Sequence, residues 1–306
     1  MSDLNRANLR SRYRISGRLV LDTALHIGGG RELSTITDSP VVRNPAGEPF
    51  IPGSSLKGAF RAAVERLVPL LNLRTCQLAE GYQDCLSTNQ ELSAQYRVLS
   101  AQVGRRLNDS QDTKDALESF GRSGWLEEMA KDPECKLTDE HLLGLLDEYL
   151  CDTCKTFGSV HLASVAFFHD LPVEGEWYDT FQVRDGVGID RDSERAKEQI
   201  KYDFEVVPPQ TAFAFGLTLE NPTPRDLGLI ALGLQEFVQG MVPIGGIRSR
   251  GLGRCRLDDL KVESVNLQDW QQRRDYLVER KMVEQDGTAF IAQHMDALVG
   301  RPALEA

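Results

Sequence analysis

The sequence predicts an α+β fold built on a ferredoxin-like βαββαβ core that carries a helical, cysteine-bearing insertion and a protruding hairpin. Three observations predict it. Once residues 76–155 are set aside, the periodicities run strand, helix, strand, strand, helix, strand. Residues 76–155 themselves are acidic, helical in pattern and rich in cysteine, unlike the segments on either side. A highly charged stretch, Gly188–Lys201, interrupts the second half of the strand-like sequence and reads as an exposed hairpin or loop.

Each element has its own signal. Arg12–Leu25 alternates through Tyr13, Ile15, Leu19 and Leu21, as a half-buried strand does, and Gly28-Gly29-Gly30 ends it. Pro40, Pro45, Gly47, Pro49 and Pro52 confine Asp38–Pro52 to turns and extended chain. A helix follows from Ser54-Ser55, either serine serving as cap, with Leu56, Ala59, Phe60, Ala63, Leu67 and Leu71 on its apolar face. The insertion suggests helices over 90–107, 112–130 and 138–150. Strand pattern returns over Val160–Phe168, Phe181–Val187 and Phe204–Leu219, the last broken at Pro208-Pro209. Pro224–Met241 is a helix with Leu227, Ile230, Ala231, Leu234 and Val238 on one side. A glycine loop, Gly245–Gly253, leads into a strand at Arg254–Val262, and 267–299 reads as two helices. The division expected is a core of 1–75 and 156–265, an insertion of 76–155 and a helical tail of 266–306.

The chain has 306 residues, of which 41% are hydrophobic, enough for a sizeable core. No apolar run approaches a membrane span, and the first residues lack the apolar region of a secretory signal. A cytoplasmic, reducing setting is therefore expected, in which six cysteines favour metal binding over disulfides. With 35 basic and 46 acidic side chains the net charge is −11, at first sight unfavourable for a nucleic-acid partner. The charge is uneven, however. Residues 1–75 hold 11 basic and 6 acidic side chains, residues 76–155 hold 8 and 16, and Met241–Leu257 holds Arg248, Arg250, Arg254 and Arg256 with no acid. Such asymmetry fits an anion-binding face on an acidic body, or a set of ordinary solvated faces.

Four motifs could carry chemistry. Gly28 and Gly29, and the later loop containing Gly246, expose backbone N–H groups to a phosphate or simply form tight turns. Neither is a P-loop or a dinucleotide fingerprint. In Ile51–Arg61, Ser54, Ser55, Lys57 and Arg61 lie on the first turns of a helix, where N–H groups and cations together make an anion site. Cys151-Asp-Thr-Cys154, with Cys76 and Cys85 upstream, can form a four-cysteine zinc site, or remain free thiols. Cys135, His141 and His161 are possible substitutes, and Cys255 is expected to be buried in a strand. Asp38 could hold a divalent ion or assist attack by a ribose hydroxyl, or make an Asx-turn before Pro40. His26 is a second acid–base candidate or a structural histidine.

Taken together, Leu25-His-Ile-Gly-Gly, Asp38-Ser-Pro-Val-Val-Arg43 and Ile51-Pro-Gly-Ser-Ser-Leu-Lys-Gly resemble the backbone subunits of type III CRISPR effector complexes, in the RAMP superfamily. Gly186-Val-Gly-Ile-Asp-Arg191 with Phe204-Glu-Val-Val-Pro is similar to that family's thumb hairpin, here about 178–205, and Gly245–Gly253 to the superfamily's glycine loop. The match runs from about residue 13 to 262. Two departures stand out: Asp192-Ser193-Glu194 replaces the usual Thr-Gly after Asp-Arg, and the tail after about 265 has no counterpart.

The resemblance implies a modified RNA-recognition fold. It implies binding of a guide RNA (crRNA) and of target RNA, beside copies or paralogues of the same subunit and other effector subunits. It implies cleavage of target RNA by 2′-hydroxyl attack, dependent on a divalent cation such as Mg2+ or Mn2+, with Asp38 as the catalytic residue. RNA contacts are implied at Gly28, Gly29, Arg43, Ser54, Ser55, Lys57, Arg61, Arg184, Arg191, Gly246, Arg248, Arg250 and Arg254, and a structural zinc in the insertion. The competing readings are a catalytically silent guide-binding subunit, a guide-processing endoribonuclease using His26, and a phosphate-ligand enzyme unrelated to RNA.

Overall fold

The computed structural model describes residues 4, 6–29, 39–77, 85–107, 110–132, 135–178, 180–189 and 196–300. The chain begins with β1 (Ser11–Leu21), then β2 (Phe50–Ile51) and α1 (Gly53–Leu67). Five helices follow: α2 (Gln90–Ser100), α3 (Gln111–Ser119), α4 (Gly124–Lys131), α5 (Asp139–Tyr149) and α6 (Asp152–Phe157). Next come β3 (Ala166–Phe168), β4 (Leu171–Pro172), β5 (Gln182–Ile189), β6 (Ala196–Val206) and β7 (Ala212–Glu220). The chain continues through α7 (Pro224–Val238), β8 (Cys255–Asn266), α8 (Trp270–Glu279), β9 (Val283–Asp286) and α9 (Gly287–Val299).

The main sheet has the order β3-β7-β1-β8-β9 and is antiparallel throughout. Read as β1-α1-β3-β7-α7-β8, with β1 between β7 and β8, it is the ferredoxin-like core. β9 extends it at one edge. β5 and β6 form a separate antiparallel hairpin, with Gln182 opposite Val206 at its base, and β2 pairs with β4.

Alternation along β1 puts Ile15, Leu19 and Leu21 against α1 and α7 in one apolar cluster. At its centre the fully buried ring of Phe60 lies 6.0 Å from Phe157, 5.2 Å from Phe168 and 5.6 Å from Phe237. Gly233 in α7 makes room for it, since a Cβ there would come within 2.1 Å of the Phe60 ring. α7 starts on a capping box: the Thr223 hydroxyl accepts from the Asp226 N–H, and the Asp226 carboxylate accepts from the Thr223 N–H. A second apolar cluster gathers Leu86, Tyr96, Leu99, Leu117, Phe120, Leu145 and Leu146 around Cys76, Cys85, Cys151 and Cys154.

The opposite face of β1 is polar and locally neutral. Arg12 lies opposite Glu220 and Arg14 opposite Glu263 on the neighbouring strands, and each pair is salt-bridged; Arg18 is salt-bridged to Glu174. Cross-strand pairing of this kind follows from the register. With Arg43 on Glu205 and Arg61 on Glu65, at least five of the eleven basic residues of the first 75 are neutralised by partners. The positive N-terminal segment is thus largely an internal balance, a correction to the reading of net charge along the sequence.

Several elements differ from expectation. The helix expected over 112–130 is two, parted by a turn in which Gly121 has φ +62°. The strand expected from 160 is confined to β3, Cys151 precedes the short α6 as its cap residue while Cys154 lies within it, and the tail contains a strand between its two helices.

Candidate nucleic-acid interface and metal centre

Residues 24–29 leave β1 and act as a seam. Leu25 exchanges backbone hydrogen bonds with Val207 at the foot of the hairpin, at 2.9 and 2.8 Å. Val42 N–H donates to Ile27 O (2.9 Å) and Gly29 N–H to Pro40 O (3.1 Å), while Gly28 bridges Val41. Gly246 N–H donates to His26 O (2.8 Å) and Gly253 N–H to Ala24 O (2.9 Å). The first glycine turn, the loop after residue 38, the hairpin base and the late glycine loop therefore meet along six residues. Closure of the late loop demands glycine at 253: φ is +80°, and a Cβ would stand 1.9 Å from Ile244 O.

His26 and Glu205 fill the interior of this junction. His26 Nδ1 lies 2.7 Å from the Glu205 carbonyl, which can only accept, so Nδ1 carries a proton. Nε2 then faces Ser39 Oγ at 3.4 Å, and the ring lies edge-on to Phe204. The buried Glu205 carboxylate accepts from Val41 N–H (3.1 Å) and Arg43 Nη2 (2.7 Å). Arg43 also stacks over Phe181, 3.7 Å from the ring centre. Its guanidinium fastens the loop after residue 38 to the hairpin base, an internal role where an RNA contact was expected.

The cations that face outward are fewer than the sequence suggested. Arg248, Arg250 and Arg254 are exposed at the glycine loop, and Arg250 donates to the Tyr202 hydroxyl of β6. Arg256 is tied to Asp22 and Asp258. Arg184 is exposed on β5. Asp38 and Arg191 lie outside the described residues.

At α1 the expected cap is corrected. The helix starts at Gly53 with Pro52 in the cap position, so Ser54 and Ser55 belong to its first turn and neither caps it. Gly53 N–H donates to the Asp170 carboxylate at 2.7 Å, which supplies the anion that a helix N-terminus attracts. Ser54 is exposed and Ser55 and Lys57 are half-buried; burial, then the nearby Arg61, lowers the Lys57 ammonium below its ordinary value. Arg61 is turned inward. Nε donates to Glu65 (2.8 Å), Nη1 to Gly158 O (3.2 Å) and Nη2 to Cys154 Sγ (3.3 Å). Lys57 and Arg61 do not form the paired outward cations expected.

The four cysteines come together. Cys76, Cys85, Cys151 and Cys154 are buried, and their sulfurs lie within 4.8 Å of one another. Cys154 Sγ is 3.6 Å from Cys76 Sγ and 3.9 Å from Cys85 Sγ. Four thiolates about 2.3 Å from a tetrahedral zinc would be spaced at roughly 3.8 Å, so the set fits such an ion. Hydrogen bonding within the set lowers the Cys85 and Cys151 thiols and raises that of Cys154. Ser87 Oγ donates to Cys154 Sγ at 3.1 Å, and Cys151 N–H to Cys85 Sγ at 3.5 Å. The proposed substitutes are engaged elsewhere: His161 with Ser93, and His141 with Thr138. Cys255 is fully buried and its thiol is pushed up to about 12.

Glu205, Asp170 and Ser87 escaped the sequence reading. No local spacing marks them, because Glu205 and Asp170 act on residues 162 and 117 positions away.

A ferredoxin-like core, a separate two-stranded hairpin, two glycine loops joined at the hairpin's foot and a buried four-cysteine cluster define the class of α+β protein to which this chain belongs. The family model of the RAMP superfamily matches residues 18–256, and the chain belongs to that superfamily. Among curated proteins it resembles the CRISPR system Cms endoribonuclease Csm3 of Enterococcus italicus, 48% identical over 64 residues, 20% of this chain and 30% of that protein. The protein of the same name from Methanocaldococcus jannaschii is 47% identical over 60 residues, 19% of this chain and 24% of the relative. That of Streptococcus thermophilus is 40% identical over 60 residues, 19% and 27%. The matched segments thus span less than a third of these relatives.

Proposed function

We propose that the chain is a crRNA-binding backbone subunit of a type III CRISPR ribonucleoprotein that cleaves complementary target RNA. It works in the cytoplasm beside copies or paralogues of itself and other effector subunits. The observation that carries this reading is the seam of residues 24–29, which joins both glycine loops to the hairpin base in a RAMP-superfamily chain, with Arg248, Arg250 and Arg254 exposed alongside. Exposed cations position a phosphate chain without reading its bases, as a guide of any sequence requires, while the N–H groups of Gly29 and Gly246, expected to meet phosphate, are spent on closing the seam. The endoribonuclease name of the curated relatives supports the cleavage step.

In this reading Asp38 assists attack of the 2′-hydroxyl on the adjacent phosphate, next to Ser39, whose carbonyl accepts from Glu205 N–H at 3.0 Å. His26 and Glu205 hold the described residues that follow Asp38 in the chain, at Ser39, Val41 and Arg43. The Glu205 carboxylate is already bonded to Val41 and Arg43, so it is not offered to a cation. A divalent ion such as Mg2+ or Mn2+, when bound, would supply charge stabilisation at the phosphate. Cys76, Cys85, Cys151 and Cys154 hold a structural zinc.

The test is Asp38→Ala in the reconstituted complex. Target cleavage is expected to fall to background, while bound guide, read from the absorbance ratio at 260 and 280 nm and by sequencing, stays at the wild-type level. Cleavage persisting at every site overturns the catalytic role; a wild-type protein that never retains RNA overturns the binding role.

A further inference from the structure

The cysteine cluster and α1 are joined by one side chain. Arg61 lies on the first helix of the core, yet its guanidinium reaches Cys154 Sγ at 3.3 Å and the carbonyl of Gly158, just after α6, at 3.2 Å. Its third nitrogen, Nε, donates to Glu65 one turn along α1, at 2.8 Å. Both side chains are nearly out of solvent, Arg61 at 12% and Glu65 at 8% exposure. A buried ion pair of this kind is costly to assemble, and removal of either member leaves a charge in the interior. Apolar packing alone would have been served by a leucine here. The geometry calls for a reason to keep a cation against this sulfur.

The charge of the cluster supplies the reason. Four thiolates around a divalent ion carry a net charge near −2. Cys154 Sγ accepts from two side chains outside the cluster, Arg61 Nη2 and Ser87 Oγ. Charge-assisted donation to a thiolate offsets the excess negative charge and fixes the direction of the sulfur lone pairs. Glu65 in turn fixes the guanidinium, as outer carboxylates fix the side chains that contact a metal's ligands.

We propose that Arg61 is the positioning residue of the four-cysteine centre, holding Cys154 for metal and tying metal occupancy to the seating of α1. The proposal rests on the cluster being a metal site. The consequence reaches the outer turn of the same helix, where Ser54 is exposed and Lys57 half-buried. With metal bound, Arg61 spans an anionic centre and Glu65; without it, the sulfur no longer demands the cation and that anchor of α1 loosens.

The experiment uses the full chain with Zn2+ or Co2+ as probe. Metal analysis of the wild type comes first: one zinc per chain is expected, and no zinc overturns the metal site itself, and with it the inference. Arg61→Met, which keeps length and removes the donors, is then challenged with a chromogenic chelator. Zinc affinity is expected to fall by about 10- to 100-fold, with Arg61→Lys lying between Arg61→Met and wild type. In the cobalt-loaded protein, the thiolate-to-cobalt charge-transfer band is expected to move in Arg61→Met and to return part way in Arg61→Lys. If Arg61→Met does not fold, Glu65→Gln serves instead, with the same band and chelator readouts expected to move in the same direction by less. A zinc-loaded wild type whose variants keep both its affinity and its cobalt spectrum overturns the proposal while leaving the metal site standing.

Discussion

The two larger apolar clusters among the described residues are built differently. Around the sheet, large side chains fill space by themselves: Phe60 sits among Phe157, Phe168 and Phe237, and Gly233 yields the room. Around α2, α3 and α5 the helices are short, each started by a side-chain cap from Asn89, Ser110 or Thr138, and their leucines close upon four thiols. The first cluster gains its stability from area removed from water. The second encloses four buried, ionisable thiols, and if they hold the proposed metal its stability depends on that ion. On that proposal one chain contains a self-sufficient core and a conditional one.

Removal of the proposed metal should separate them most sharply. Chelation, or Cys151→Ser, is expected to open amides of α2, α3 and α5 to hydrogen exchange while β1, β7 and β8 stay protected. Zinc binding by small cysteine sites is worth on the order of 10 kcal/mol, enough to decide whether such a cluster folds. Uniform protection across both clusters after chelation would erase the distinction.

Phe60→Ala is the reciprocal blow. It leaves a cavity among three rings, and denaturant unfolding should show a loss of about 3–5 kcal/mol, with zinc content unchanged. A loss below about 1 kcal/mol would mean the aromatic cluster is not a packed core.

The smallest effect belongs to the sheet's open face. Arg14 is bidentate to Glu263 at 2.6 Å but more than half exposed, so Arg14→Ala should cost no more than about 1 kcal/mol in urea, and less at high salt. A larger, salt-independent loss would show that this face contributes to the core beneath it.

The fold was legible because its signals are local. Alternation in Tyr13–Leu21 and the apolar stripe of Pro224–Val238 reveal strand and helix without knowledge of partners. β9 was not legible, since Val283-Glu284-Gln285-Asp286 is exposed and has no apolar alternation; it is a strand only because β8 lies beside it. The cysteines were legible as a set: Cys151 and Cys154 announce themselves by spacing, Cys76 and Cys85 flank the insertion as a looser pair, and the fold brings the four together. Charge was the least legible quantity. Arg14 meets Glu263 across 249 residues and Arg43 meets Glu205 across 162, so a running sum of basic residues counted cations that never reach the surface as net charge.

The borders of the main sheet carry a last consequence. It begins with β3, three residues long, and ends with β9, four residues that include Glu284 and Asp286. Margins this brief, one of them acidic, are poor templates for another strand. In the proposed assembly, where copies or paralogues of the chain line one RNA, they would be kept from fusing sheet to sheet. Their spacing would then be dictated by loops and by the thread they share, and an array could grow or come apart one subunit at a time without any of them exchanging strands.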